Sequence, residues 1–138
     1  MRIVVVVTVA VALAAPAAFG VCMLDDYSVP AEFARSTVVA VGRVVSERQV
    51  HEQAELDVLD GTVYTLRVQE TLRGQPSRTI SVFSENSSGR FPMLKGQAYI
   101  LFLYAQSGRL SADNCGNSGL VSEKQDVVNA TRELARAR

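Results

Sequence analysis

Residues Ala98-Tyr99-Ile100-Leu101-Phe102-Leu103-Tyr104 leave no face for water. Successive side chains of a strand point to opposite faces, so a run apolar at every position belongs at the centre of a fold. Three further segments read as strands around it. Thr37–Ser46 is rich in β-branched residues, and Gly42 at its middle suits the sharp bend or bulge that small barrels need. Thr62–Glu70 alternates, with Tyr64, Leu66 and Val68 on one face and Thr65, Arg67 and Gln69 towards water. Thr79–Phe83 follows the break at Gly74-Gln75-Pro76, and Gly108 turns the chain into a short fifth strand around Leu110.

Between the first two strands, Glu47–Gly61 is polar and acidic and ends in the turn dipeptide Asp60-Gly61. This predicts a long hairpin connection. Helical features lie only at the ends. Ser28–Ser36 reads as a short helix with Pro30 in its first turn. Val127, Ala130, Leu134 and Ala137 recur at spacings of three and four, one apolar stripe, with Ser122 and Gln125 in capping-box spacing ahead of it. The expected fold is mainly β, a small five-stranded barrel with a short N-terminal helix and a C-terminal helix.

Ahead of this body stands an address. Met1-Arg2 precedes the apolar run Ile3–Ala15, and small residues at Ala15/Ala17 or Ala18/Gly20 fit the positions before a signal-peptidase cut. The competing reading is a membrane anchor, because apolar character continues through Leu24, but Pro16 and Gly20 interrupt the run. A lipid anchor on Cys22 fits poorly, since Val21 stands where a small residue is expected. The organisation is therefore a signal peptide over 1–20 and one domain over 21–138. Export places the chain outside the cytoplasm, secreted into the extracellular space or the periplasm.

In that setting an even cysteine count favours a disulfide. Cys22 and Cys115 are the only possible pair, 93 positions apart; the alternative is two free thiols. A bond closing a loop of that size stabilises by about 4–5 kcal/mol in the chain-entropy account.

Composition excludes more chemistry than it suggests. The 14 basic residues match 14 acidic ones, and loss of Arg2 with the leader leaves 13 (14 − 1) against 14. Neither nucleic acid nor an anionic membrane is then an expected partner, the membrane only where the leader stays uncleaved. One histidine and two cysteines cannot build a four-ligand zinc site. His51-Glu52-Gln53-Ala54-Glu55 begins like a zinc-protease helix, but Glu55 stands where the second histidine is needed. Serine chemistry has only His51 as a base, and Gly116-Asn117-Ser118-Gly119 lacks nucleophile-elbow spacing and reads as a turn. Asp25-Asp26 reads as a solvated pair. The aromatic residues Tyr64, Phe83, Tyr99, Phe102 and Tyr104 lie at strand spacing and are expected mostly in the core. Asn86-Ser87-Ser88 and Asn129-Ala130-Thr131 fit the glycosylation sequon. No enzyme and no cofactor are expected.

The order of segments resembles the tissue-inhibitor-of-metalloproteinase-like (netrin-type) domains. The stretch Phe33–Val44 is similar to their first strand; Val63–Val68, the Leu72-Arg73-Gly74 corner and Lys95–Phe102 then follow in order. Leu110-Ser111-Ala112-Asp113-Asn114-Cys115 is similar to the late strand whose cysteine bonds back to the N-terminal segment. The resemblance spans most of residues 22–121 and implies a five-stranded OB-type barrel. It also implies protease inhibition by a mature N-terminal cysteine that chelates zinc within a Cys-x-Cys start. This chain departs there: Met23 and Leu24 follow Cys22, and a cut before Cys22 would leave Val21 at the last signal position. Fold carries over more readily than site chemistry. The expected function is an exported binding module, inhibitor-like in form, that engages a protein, either a metalloprotease or an envelope component. Its edge is Val21, Cys22, Met23 and Leu24, with Ser87 and Ser88 of the neighbouring 84–90 loop. The alternative is a structural or tethering module of the cell envelope.

Overall fold

A computed structural model describes Cys22, Leu24, residues 26–53 and residues 58–138. The proposed leader, and with it Val21 and Met23, lies outside the described residues. The elements are α1 (Val29–Arg35), β1 (Val38–Gln53), β2 (Val58–Arg73), β3 (Thr79–Glu85), β4 (Ala98–Gln106), β5 (Arg109–Ala112), β6 (Gly119–Leu120) and α2 (Gln125–Arg136). They form a mainly β fold around one six-stranded mixed sheet, ordered β1-β2-β3-β5-β4-β6. An added β1–β4 pairing turns five of these strands into a ring. Among the described residues only the β3–β5 contact is parallel, at Val82↔Leu110.

β4 explains the doubly apolar run. Tyr99, Leu101 and Leu103 join Ala40, Tyr64, Leu66, Ile80 and Val82 in one buried cluster, enclosed by the ring. Ile100 and Phe102 face the other way and pack with Val39, Val41, Phe33, Val127 and Val128, beneath the two helices. The strand is thus covered on both faces, by the ring interior and by the helices. β1 serves both neighbours because its register slips at Val39/Ala40, Val41/Gly42 and Val44/Ser46. The second slip is the expected irregularity at Gly42.

The structure corrects the sequence reading in three places. First, the polar stretch after Ser46 is not a loose connection. β1 runs on to Gln53 and pairs with β2 as far as Gln53↔Val58, forming a two-stranded arm. Gly61 lies inside β2, where a Cβ would run into the Ser84 carbonyl and the Phe83 ring. Close approach, not a turn, accounts for that glycine. Second, α2 has no capping box: its N-cap is Lys124, which makes no side-chain cap, and Gln125 Nε2 donates back to the Val121 carbonyl at 2.8 Å. Its buried face is Val127, Val128 and Thr131, with Leu134 and Ala135 partly covered, so Ala137 falls outside the stripe. The Thr131 hydroxyl, fully buried, donates to the Val127 carbonyl at 2.7 Å. Third, the described residues form six strands, because Gly119–Leu120 adds a two-residue pairing to β4. α1 matches its expected span, with Ser28 as N-cap and Pro30 in the first turn.

Candidate functional site

The two cysteines meet. Cys22 and Cys115 form a disulfide with their Cα atoms 5.7 Å apart, which fastens the N-terminal segment to the loop after β5. That loop is itself shaped by local hydrogen bonds. Asp113 Oδ1 accepts the Cys115 backbone N–H at 2.8 Å, the side-chain-to-backbone bond two residues on that favours aspartate in turns. Asn114 Nδ2 donates to the Ser88 carbonyl at 2.9 Å, which draws the 84–90 loop alongside the cystine. Ser87 and Ser88 are exposed there, with the Ser87 hydroxyl accepting from the Gly89 N–H at 3.2 Å. Leu24 is 44% exposed, one of two large apolar side chains so displayed among the described residues. The expected edge residues Cys22, Leu24, Ser87 and Ser88 therefore share one end of the fold, joined through Cys115 and Asn114.

A polar network beneath this edge holds it in place. The Tyr27 hydroxyl donates to Asp113 Oδ2 at 3.1 Å, and its backbone carbonyl accepts from Asn117 Nδ2 at 2.7 Å. Burial raises the Tyr27 phenol above its ordinary pKa, and the Asp113 carboxylate adds to the effect. Arg35 donates through Nη1 to the Asp26 carbonyl at 2.6 Å, and its guanidinium stands 5.3 Å over the Tyr27 ring, a cation–π distance. The Ser28 N–H, 2.7 Å from Asp26 Oδ1, holds that carboxyl below the usual range.

At the base of the network lies Glu32, which is fully buried. Its Oε2 accepts from the Asn117 backbone N–H at 2.6 Å and from Asn117 Nδ2 at 2.7 Å. Its Oε1 accepts from the Tyr104 hydroxyl at 3.0 Å. Burial pushes the Tyr104 phenol up, and the nearby Glu32 charge pushes it further. A buried carboxylate is costly unless its oxygens are satisfied, and three donors meet that demand here. Gly116 lies so close that a Cβ would strike this carboxylate. The neighbouring Ser118 hydroxyl, also buried, accepts the Phe102 N–H at 2.8 Å and ties the same loop to β4. The segment Gly116–Gly119 is thus a structural turn, wired to α1 on one side and to β4 on the other.

The 84–90 loop also walls a cleft of about 360 Å³ shared with the β4–β5 turn, lined among others by Phe83, Ser87, Gln106, Arg109 and Ser111. Of the residues considered for catalysis, His51 is exposed on the β1–β2 arm, 3.8 Å from Asp60. Glu55 and Asp25 lie outside the described residues. No group of three or more His, Cys, Asp or Glu side chains that could hold a metal ion occurs among the described residues. Glu32 falls in the expected helix and Asn117 in the expected turn, but the network these two form with Tyr27 has no counterpart in the sequence expectations. Its only signal was the placement of Asn117 two residues beyond Cys115 in a glycine-flanked turn.

No protein-family model matches the chain, and no curated protein matches it.

Proposed function

We propose that this chain is an exported OB-like barrel of the tissue-inhibitor-of-metalloproteinase/netrin type that binds a protein through its disulfide-pinned N-terminal edge and is not an enzyme. The observation that carries this reading is the Cys22–Cys115 bond with the Asn114–Ser88 contact beside it. Together they fasten the chain at Cys22 next to a second loop, as the resemblance implies. Two further features support it: the ring closed by the β1–β4 pairing, and a disulfide that suits an oxidising compartment. A tether of this kind lowers the ordering entropy that a binding edge loses on association. Leu24 supplies an exposed apolar anchor beside the cystine.

The zinc-directed chemistry of the resembling family is not part of the proposal. Chelation by an N-terminus needs an unprotonated α-amino group fixed by the cystine, and an α-amino pKa of about 8 leaves a usable fraction at neutral pH. A cut that leaves Val21 ahead of Cys22 adds one residue of freedom and displaces the amine. The second cysteine of the Cys-x-Cys start is also missing. The experiment is N-terminal sequencing of the exported protein, followed by inhibition assays against a panel of zinc endopeptidases with an N-acetylated control. The reading predicts a residue ahead of Cys22 and weak or no inhibition. Tight inhibition abolished by acetylation would show instead that the family mechanism operates. Retention of an uncleaved Met1 chain in the membrane would overturn the export assignment.

A further inference from the structure

The outward face of β1, β2 and β3 carries arginines and no carboxylates over three successive rows. Directly opposed residues of an antiparallel pair share a face. The register therefore lays out Arg43–Arg67–Thr79, Ser46–Thr65–Ser81 and Arg48–Val63–Phe83 across the three strands. Tyr64 and Leu66 of the same strand β2 fill the core, which fixes these rows on the opposite face. The helices pack elsewhere, over Val39, Val41, Ile100 and Phe102. Arg43, Arg48 and Arg67 are exposed, and none has an acidic partner among the described residues. A fourth guanidinium, that of Arg109, stands 5.1 Å over the Phe83 ring at the margin and pairs with Glu52 at 3.5 Å.

Two features of this face call for a partner. Arg43 and Arg67 are direct cross-strand neighbours, and like charges so placed oppose folding. Arg43 has only a backbone carbonyl, that of Gly96, to accept from it. The rows are also spaced regularly. Two residues of strand rise separate each row by about 6.6 Å, so Arg48 stands about 13 Å along the strands from the Arg43–Arg67 pair. That is the span between residues i and i+4 of an extended polypeptide.

We infer that this face is a second docking surface, which borders the disulfide-pinned edge at the cleft shared by Phe83 and Ser87, and that it takes an extended acidic polypeptide segment. Carboxylates four residues apart engage the Arg43–Arg67 pair and Arg48, since the guanidinium fork matches a carboxylate in two parallel hydrogen bonds. The hydroxyls of Ser46, Thr65 and Ser81 line the row between. The balance of 14 basic against 14 acidic residues favours a short matched segment over a long polyanion, whose capture depends on a broad positive field.

The test is a fluorescence-anisotropy titration of the intact, disulfide-bonded chain with a labelled decapeptide of serine and threonine carrying glutamates at i and i+4. The glutamate peptide should bind at least tenfold more tightly than its glutamine counterpart, and should weaken as salt is raised. The double variant Arg48→Gln/Arg67→Gln should lose at least tenfold in affinity while its melting temperature holds or rises, because the like-charge pair is relieved. A fall in melting temperature would give these arginines a structural role and overturn the inference. So would unchanged binding by the variant, or equal binding of the two peptides. Heparin-type polysaccharide and a single-stranded oligonucleotide serve as competitors. If either displaces the peptide at a lower concentration of negative charge than the peptide itself requires, the occupant is a polyanion and the acidic-segment assignment fails.

Discussion

Replacing Glu32 removes the acceptor on which three donors converge. In Glu32→Leu, the Asn117 backbone N–H and the Tyr104 hydroxyl lose their hydrogen bonds at a buried site, while Asn117 Nδ2 keeps the Tyr27 carbonyl. Each stranded donor costs about 1–3 kcal/mol, so two of them give a loss of about 2–6 kcal/mol. Against a typical total of 5–15 kcal/mol that is a large share. Relief of the carboxylate's own desolvation cost offsets part of it, which places the expected value in the lower half of that range. Glu32→Gln keeps the shape. Its amide oxygen can take the Asn117 donors and its amide nitrogen can donate to the Tyr104 oxygen, so only the charge assistance is lost, about 1–2 kcal/mol. Gly116→Ala should resemble Glu32→Leu, because its Cβ displaces the carboxylate from the same donors. Urea unfolding of the oxidised protein reads all three, with the denaturant slope held as a check on two-state behaviour. Glu32→Leu as stable as the parent would refute the claim that this network anchors the Asp113–Asn117 loop.

Other outcomes follow from the same structure. Non-reducing peptide mapping should show Cys22 joined to Cys115, and Cys115→Ser should lower stability by about 2–5 kcal/mol, the usual cost of losing a native disulfide; free alkylation of both thiols in the native protein would contradict this. Arg132 donates to Glu70 at 2.7 Å, and these hydrogen bonds hold the Glu70 carboxyl below its ordinary range. With the folded pKa depressed, its contribution is present above the unfolded value of about 4.3 and is lost as pH falls through the folded pKa. Glu70→Gln should therefore flatten the acid limb of the stability profile, by no more than about 1 kcal/mol for a half-exposed pair; an unchanged limb would show the pair to be inert.

Where burial follows a local pattern, the residues announced it. Ala98–Tyr104 had no polar face, and β4 proved to separate two apolar clusters. The alternation of Tyr64 and Leu66 against Arg67 and Gln69 matched their burial, because a half-buried strand writes its two environments at every second residue. The β1–β2 arm had no such mark. Glu47, Arg48, Gln49, His51 and Glu52 are exposed, so this stretch is a strand only because its ladder continues from the ring. The α2 stripe was rotated by one position, since Val128 and Thr131 take the buried place expected of Ala130 and Ala137. A hydroxyl that bonds its own helix four residues back can be buried without a partner elsewhere. Glu32 was the least readable. An acidic residue in the first turn of a short helix ordinarily faces water, and its true partner is 85 positions away. At the edge, Cys22 and Cys115 could be paired by count and compartment. The Asn114 contact that brings Ser88 beside them is a tertiary fact with no local pattern.

Site-specific photo-crosslinking in the cell that makes the protein addresses the proposed binding edge most directly. A benzophenone side chain is placed at Leu24 or at Ser88, with exposed Glu123, outside the proposed edge, as the control. The account predicts one adduct of the same mass from Leu24 and Ser88, none from Glu123, and loss of both adducts when Cys115→Ser releases the segment. Adducts that survive that substitution, or that form equally at Glu123, would contradict a disulfide-pinned binding edge.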